Sequence, residues 1–132
     1  MAVGASMREI IDEVRPSRVT LLAKSLGCEV VARLDPAVVS GAARVEVMWA
    51  TPVFGLPAVR DGAIAKAWRS LIVSGDADRW YDPAGTAAVL EATGGSVLVV
   101  ERADHSLEVN GDVLATVDGL RRLAEEALAF LH

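Results

Sequence analysis

The stretch VTLLAKSLG, residues 19–27, decides the fold expected for this chain. It opens with an apolar run over residues 19–23, which predicts a strand covered on both faces. Ala23, Ser25 and Gly27 then form Ala-x-Ser-x-Gly, a variant of a G-x-S-x-G motif in which a serine stands on a sharp turn between strand and helix. Small neighbours are expected because the strand and the helix nearly touch there. The same letters also fit an ordinary Ser-x-Gly turn.

Two later apolar runs also end in residues that can carry chemistry. SLIVS, residues 70–74, leads into Gly-Asp-Ala-Asp, which contains Asp76 and Asp78. SVLVVE, residues 96–101, leads into Ala-Asp-His, which contains His105. The carboxyl ends of parallel strands gather at one edge of a sheet, where ligands bind. We therefore expect the serine, an aspartate and the histidine to converge at that edge.

Helical and strand-like segments alternate along the chain, without an internal repeat, a linker or a low-complexity tract. A capping-box pattern at residues 6–9 predicts the start of a first helix. Strands are expected near residues 18–23, 44–50, 70–74 and 96–101, and further helices near 26–34, 57–68, 83–94 and 111–131. This order predicts an α/β fold in a single domain over residues 1–132, with about four parallel strands and helices on both faces.

The order serine, aspartate, histidine resembles that of the α/β-hydrolase superfamily, and in particular a small dienelactone-hydrolase-like branch. The stretches LLAKSLG, LIVSGDADRWYDP and LVVERADHSLEV carry the resemblance. It covers nearly the whole chain but only the C-terminal part of such an enzyme, so it implies a partial fold whose N-terminal strands are missing. It also implies a serine hydrolase that cleaves an ester or related acyl bond through an acyl-enzyme. Ser25 would be the nucleophile, His105 the base and Asp78 the acid.

The choice between two acids and the stabilisation of the oxyanion follow from the same resemblance. The acid of this family usually stands three residues after the glycine that ends its strand, here Gly75, which favours Asp78 over Asp76. Asp76 would then support the turn. The backbone N–H of Leu26 is expected to stabilise the oxyanion. The second donor of the family lies after an earlier strand that is missing here, so weak esterase activity is expected.

Several further residues near the strand ends have two readings. An acyl pocket could be lined by aromatic side chains, although core packing explains them equally well. These aromatic residues are Trp49, Phe54, Trp80 and Tyr81. Cys28 is expected to be a small buried residue, and Lys24 a solvated support of the turn.

Composition narrows the classes of function. The net charge of −5 argues against a nucleic-acid surface, and no apolar run reaches the roughly 18 residues of a membrane span. A single cysteine excludes an intramolecular disulfide and fits a reducing cytoplasm. His105 and the terminal His132 give too few soft ligands for a metal site. We expect a cytoplasmic protein that binds a small ester or acyl substrate without metal or cofactor, nucleic acid or membrane.

Two other hypotheses remain open. The chain could be a non-catalytic remnant, or a truncated fragment that needs missing strands or a partner. In either case the 18–23 strand becomes a sheet edge without charge, proline or bulge in its apolar run, and self-association through it is expected. A flavodoxin-like binding module fits less well, because Lys-Ser-Leu-Gly lacks the glycines of a phosphate-binding loop.

Overall fold

The structure, a computed structural model, describes residues 2–132. It contains one sheet of four parallel strands that lie side by side in chain order. The strands are β1 (Arg18–Lys24), β2 (Arg44–Ala50), β3 (Arg69–Gly75) and β4 (Gly95–Val100). The helices are α1 (Ala2–Val14), α2 (Leu26–Ala32), α3 (Pro57–Lys66), α4 (Pro83–Thr93) and α5 (Val113–Leu131), with a 3-10 helix at Pro36–Val39. The predicted α/β architecture with four parallel strands is confirmed.

The sheet separates two apolar cores, because successive side chains of a strand point to opposite faces. On one face, Val47, Trp49 and Ile72 pack with residues of α2, α3 and α4. On the other face, Leu71 packs with Phe130 of α5 and with the loop that precedes α5. Both faces of β3 are therefore buried, which explains its uninterrupted apolar run.

Several helix ends differ from the sequence predictions by a few residues, and two of them have a clear physical cause. The capping box at residues 6–9 does not begin α1, because the helix starts at Ala2 and Ser6 lies inside it. Ile11 of α1 is buried in one apolar cluster with Val38 of the 3-10 helix. This tertiary packing stabilises α1, so the helix does not depend on a capping box at its start. α3 ends at Lys66, since Ala67 adopts a left-handed conformation with φ 52° that closes the helix.

A buried carboxylate ties three strands to the last helix at the amino-terminal edge of the sheet. Glu46 is 0% exposed and forms ion pairs with Arg18, Arg44 and Arg69. The hydroxyl of Thr20 donates a hydrogen bond of 3.0 Å to the same carboxylate. Arg18 and Arg69 also donate to backbone carbonyl oxygens in the last turn of α5. One glutamate on β2 thus links β1, β3 and α5.

The ionisation of Glu46 is coupled to the stability of the fold. Burial alone would raise the pKa of Glu46, but hydrogen bonds from Arg18 and Thr20 and the charges of Arg18 and Arg44 outweigh it and hold this pKa below its ordinary value. A carboxyl group whose pKa is lower in the folded state than in the unfolded state stabilises the fold at pH values above its pKa in the unfolded state. That stabilisation is lost as the pH falls through the folded pKa.

Replacing this carboxylate tests the coupling. Glu46→Gln should lower the free energy of unfolding at neutral pH by about 1–3 kcal/mol, because buried donors lose a charged acceptor. It should also reduce the loss of stability between about pH 5 and pH 2, which denaturant titrations at several pH values measure. Glu29→Gln, in an exposed pair with Arg33, is the matched control and should cost no more than about 0.5 kcal/mol. Equal losses in the two variants would contradict the prediction.

Candidate active site

Ser25 stands on a strained turn between β1 and α2. Its backbone has φ 52° and ψ −115°, a region that residues other than glycine rarely occupy. Its N–H donates to the carbonyl of Ala50 at the end of β2 (3.0 Å), and its own carbonyl accepts from Cys28 N–H (3.0 Å). Although Ser25 holds the N-cap position of α2, its hydroxyl makes no capping hydrogen bond. The hydroxyl is therefore free to bond to other side chains.

Ser25, His105 and Asp78 form a continuous hydrogen-bonded chain. Ser25 Oγ lies 2.8 Å from His105 Nε2, and His105 Nδ1 lies 2.7 Å from Asp78 Oδ2. The side chain of Asp78 is 1% exposed and that of His105 is 36% exposed. An ionised carboxylate can only accept, so Nδ1 donates to Asp78 and Nε2 is left to accept the proton of the serine hydroxyl.

Asp78, and not Asp76, is the carboxylate that contacts the histidine. The second oxygen of Asp78 accepts from Trp80 N–H (2.8 Å), so both of its oxygens are occupied and the carboxylate is fixed in orientation. Asp76 is exposed and accepts a hydrogen bond of 2.6 Å from Arg102 N–H, in the loop after β4. The two aspartates therefore have different contacts. Asp78 orients the imidazole of His105, whereas Asp76 links the loop after β3 to the loop after β4.

The loop that carries His105 is shaped by a residue that the sequence analysis did not single out. Asp104 Oδ1 accepts from Ser106 N–H (2.9 Å) and from Glu108 N–H (3.0 Å), an Asx-type turn. An antiparallel bridge between Ala103 and Val109 closes the base of the loop. The Asp-x-Ser pattern around the histidine is a local turn signal that could have identified this role.

Lys24 connects the serine turn to the histidine loop. Its Nζ donates to the backbone carbonyl of His105 (3.3 Å) and approaches Thr51 Oγ1 (3.5 Å). Lys24 is exposed, as expected of a solvated support of the turn, and its ammonium group also has a specific acceptor on the neighbouring loop. This contact and the Ser25–His105 hydrogen bond hold the same two segments together.

A close backbone contact sets the position of the acid relative to the histidine. A Cβ atom on Gly75, the last residue of β3, would lie 2.1 Å from the carbonyl oxygen of Ala103. The N–H of Ala77 donates to that same oxygen (3.0 Å). Gly75 is thus required at this crossing. Gly27 differs, because a Cβ there would meet nothing within 4 Å, so the steric reason expected for that glycine is wrong.

Paired glycine substitutions test this distinction. Gly75→Ala should destabilise the protein by about 1–3 kcal/mol, because the added methyl group overlaps a backbone oxygen, and should displace His105 from Asp78. Gly27→Ala should leave stability unchanged or raise it by up to about 1 kcal/mol, because alanine favours the helix. Thermal unfolding and the NMR shifts of the His105 ring measure the two effects. A stable Gly75→Ala variant with unchanged ring shifts would contradict the prediction.

The four aromatic residues of the expected pocket divide into two pairs. Trp49 and Phe54 are buried in the core, with ring centroids 5.7 Å apart in an edge-to-face arrangement. Trp49 Nε1 also donates to Ser70 Oγ (3.0 Å), so these two residues are core rather than pocket wall, and the expectation for them is corrected. Trp80 is 46% exposed and lies in the same groove as His105, and Tyr81 is half-buried next to Trp80.

Two open grooves adjoin Trp80. One has a volume of about 390 Å³ and is lined by Ala77, Asp78, Arg79, Trp80, Asp104 and His105. The other has a volume of about 290 Å³ and includes Leu56, Trp80 and Tyr81. A larger cavity of about 520 Å³ lies between α1 and the end of α2, at the amino-terminal edge of the sheet, and contains none of the three hydrogen-bonded residues. Of these three cavities, only the first includes His105, so a small molecule in it would lie beside that imidazole.

Two residues next to Ser25 have contrasting environments. Leu26 begins α2, where a backbone N–H has no acceptor within the helix, and its side chain is exposed.

Cys28 is fully buried with its Sγ 3.7 Å from the carbonyl of Ala50. Burial raises the pKa of the Cys28 thiol to about 12, which keeps it protonated and unreactive. Cys28 is thus the buried residue that the sequence predicts.

The described residues contain no metal-binding cluster, and the sequence matches no known family model. Within residues 2–132, no three histidine, cysteine, aspartate or glutamate side chains cluster in a way that could hold a metal ion. None of the helices in this range is long and apolar enough to cross a bilayer. Neither a protein-family model nor a curated protein matches the sequence. Any function must therefore be argued from the geometry of Ser25, His105 and Asp78.

Proposed function

We propose that this protein is a serine hydrolase of the α/β-hydrolase type that cleaves an ester or related acyl bond. The observation that carries the proposal is the chain of hydrogen bonds from Ser25 through His105 to Asp78, with distances of 2.8 Å and 2.7 Å. The order of the three residues along the sequence is that of the α/β-hydrolases. Nucleophile, base and orienting acid within hydrogen-bond reach of one another are the geometric signature of an activated serine.

The first half of the reaction forms an acyl-enzyme. Ser25 Oγ attacks the carbonyl carbon of the substrate while His105 Nε2 takes the hydroxyl proton. The buried carboxylate of Asp78 holds the imidazole in the tautomer that leaves Nε2 free, and it stabilises the imidazolium that forms. His105 then gives its proton to the leaving alcohol as the bond between carbonyl carbon and leaving oxygen breaks. The acyl group remains on Ser25.

The second half of the reaction uses water. His105 takes a proton from a water molecule that attacks the acyl carbon, and the proton returns to Ser25 Oγ as the acid is released. Negative charge on the tetrahedral oxygen is stabilised by the backbone N–H of Leu26. With the N–H of Leu26 as the one assigned donor, turnover should be lower by about 10²–10³, the cost of losing one donor in a comparable site. We therefore expect the protein to turn over an ester substrate slowly.

The surroundings of the triad indicate a small substrate. Trp80 would contact the acyl or alcohol part of a ligand in the groove beside His105, and Tyr81 would do so in the neighbouring groove on the other side of Trp80. The proposed reaction needs no cofactor. A reducing compartment such as the cytoplasm suits a chain whose single thiol, Cys28, is buried.

Covalent labelling tests the nucleophile. A fluorophosphonate probe should form an adduct at Ser25, because the probe reacts with serines that a histidine activates. Mass spectrometry of the digested protein locates the adduct, and Ser25→Ala should abolish it, with Ser40→Ala as a control on an exposed serine. Labelling that persists in Ser25→Ala would contradict the assignment. A folded protein that never reacts would favour the non-catalytic remnant instead.

A matched pair of aspartate variants tests the acid. Asp78→Asn should reduce turnover of an aryl ester by about 10⁴-fold, because the amide favours the wrong histidine tautomer. Asp76→Asn removes a carboxylate of the same strand end that does not touch His105, and it should change turnover far less. Steady-state rates of the two purified variants give the comparison. Equal losses would show that Asp78 acts on the fold rather than on the histidine.

A further inference from the structure

Two grooves near the triad share a wall. The histidine groove, of about 390 Å³, contains His105, and the outer groove, of about 290 Å³, contains Leu56 and Tyr81. Of the described residues, Arg79 and Trp80 are the two that line both grooves. The Trp80 side chain is 46% exposed, so it stands at the surface and is not packed into the core. The side chains of Arg79 and Trp80 therefore form a partition between the two grooves.

The partition has a fixed position relative to the imidazole. The guanidinium carbon of Arg79 lies 4.8 Å from the centroid of the Trp80 ring, a cation–π contact that orients the indole. The backbone N–H of Trp80 donates to the Asp78 carboxylate (2.8 Å), and Tyr81 N–H donates to the Asp78 carbonyl (3.0 Å). Asp78 also contacts His105 Nδ1 (2.7 Å), so the same residue anchors both the base and the partition.

The acylation step places the alcohol part of an ester beside this partition. His105 gives its proton to the leaving oxygen, so that oxygen lies against the imidazole when the bond breaks. Of the two grooves, only the histidine groove includes His105, and it is bounded by Trp80. A short alcohol fits within this groove, whereas a longer chain meets the indole.

The outer groove offers an apolar surface on the far side of the indole. Leu56 is 49% exposed there, and Val53 and Tyr81 are half-buried. Asp82 is the one carboxylate that lines this groove. A hydrocarbon chain that reached the groove would exchange water for apolar contacts, which is favourable. In the wild-type protein the indole of Trp80 stands between such a chain and this surface.

We propose that Trp80, held by Arg79, limits the size of the alcohol part and makes the protein selective for esters of short alcohols. This selectivity rests on the proposed hydrolase function and defines the substrate class of the same site. Removing the indole would join the histidine groove and the outer groove into one longer channel. A longer alcohol would then extend past the position of the ring and contact Leu56 and Tyr81.

A series of acetate esters, from methyl to hexyl acetate, tests the selectivity. Every member forms the same acetyl-enzyme, so differences in kcat/KM arise from the alcohol part. For the wild type, kcat/KM should fall as the alcohol lengthens. Trp80→Ala should raise the ratio of kcat/KM for hexyl acetate to that for methyl acetate by about tenfold or more, because the added methylenes gain apolar contacts. The backbone N–H that donates to Asp78 is retained in this variant.

Matched variants and a second substrate series serve as controls. Trp80→Phe keeps an aromatic ring at the partition and should raise the ratio less than Trp80→Ala does. Leu114→Ala shortens a leucine on α5 that is 82% exposed and lines neither groove, and it should leave the ratio unchanged. The second series consists of p-nitrophenyl esters with acyl chains from acetyl to hexanoyl. It keeps the alcohol part constant, so its ratios should change little in Trp80→Ala.

The outcomes separate the selectivity from the hydrolase function. A Trp80→Ala variant with the same alcohol ratio as the wild type would overturn the proposed selectivity and leave the hydrolase function intact. Equal changes in the alcohol and acyl series would do the same. A wild type that hydrolyses no acetate faster than Ser25→Ala does would contradict the hydrolase function, and the selectivity with it.

Discussion

The backbone of Ser25, at φ 52° and ψ −115°, is the constraint around which the candidate site is built. Such a conformation costs about 1–3 kcal/mol in a residue other than glycine and persists only where the surrounding structure fixes it. Here β1 is paired with β2 along its whole length, and Ser25 itself donates its N–H to the carbonyl of Ala50 and accepts at its own carbonyl from Cys28 N–H. The strain lifts the hydroxyl out of the helix cap and toward His105, so the sheet supports the geometry of the turn.

The remaining two residues are brought to Ser25 by the same sheet. All strands are parallel, so the loops after β1, β3 and β4 leave from one edge. The crossing of Gly75 and Ala103 sets how closely the last two loops approach, and Asp78 and His105 follow that crossing directly. Lys24 adds a tie between the first and the last loop. Residues that are 80 positions apart in sequence therefore meet at hydrogen-bond distance.

Features set by local periodicity were predictable from the sequence, whereas features set by tertiary packing were not. Apolar runs bounded by turn residues located the four strands, and their alternation with helices gave the parallel sheet. The inferences that stayed open or were wrong concern residues whose environment depends on distant segments. Trp49 fits a pocket and the core equally well until Phe54 and Ser70 are seen to enclose it, whereas Gly27 looks sterically required until α2 is seen to leave open space there. The contact of Lys24 with the histidine loop has no local signal, because its acceptor is a backbone carbonyl in another loop.

Trapping the acyl-enzyme tests the proposed role of Ser25 most directly. The protein should be mixed with an aryl acetate, quenched in acid within the first turnover, and its intact mass and peptides measured by mass spectrometry. One acetyl group per chain is expected, located on Ser25 and absent from Ser25→Ala, because His105 is hydrogen-bonded to that hydroxyl. Acetyl groups on Lys24 or elsewhere, or a folded chain that hydrolyses the ester without any acyl-serine, would contradict it.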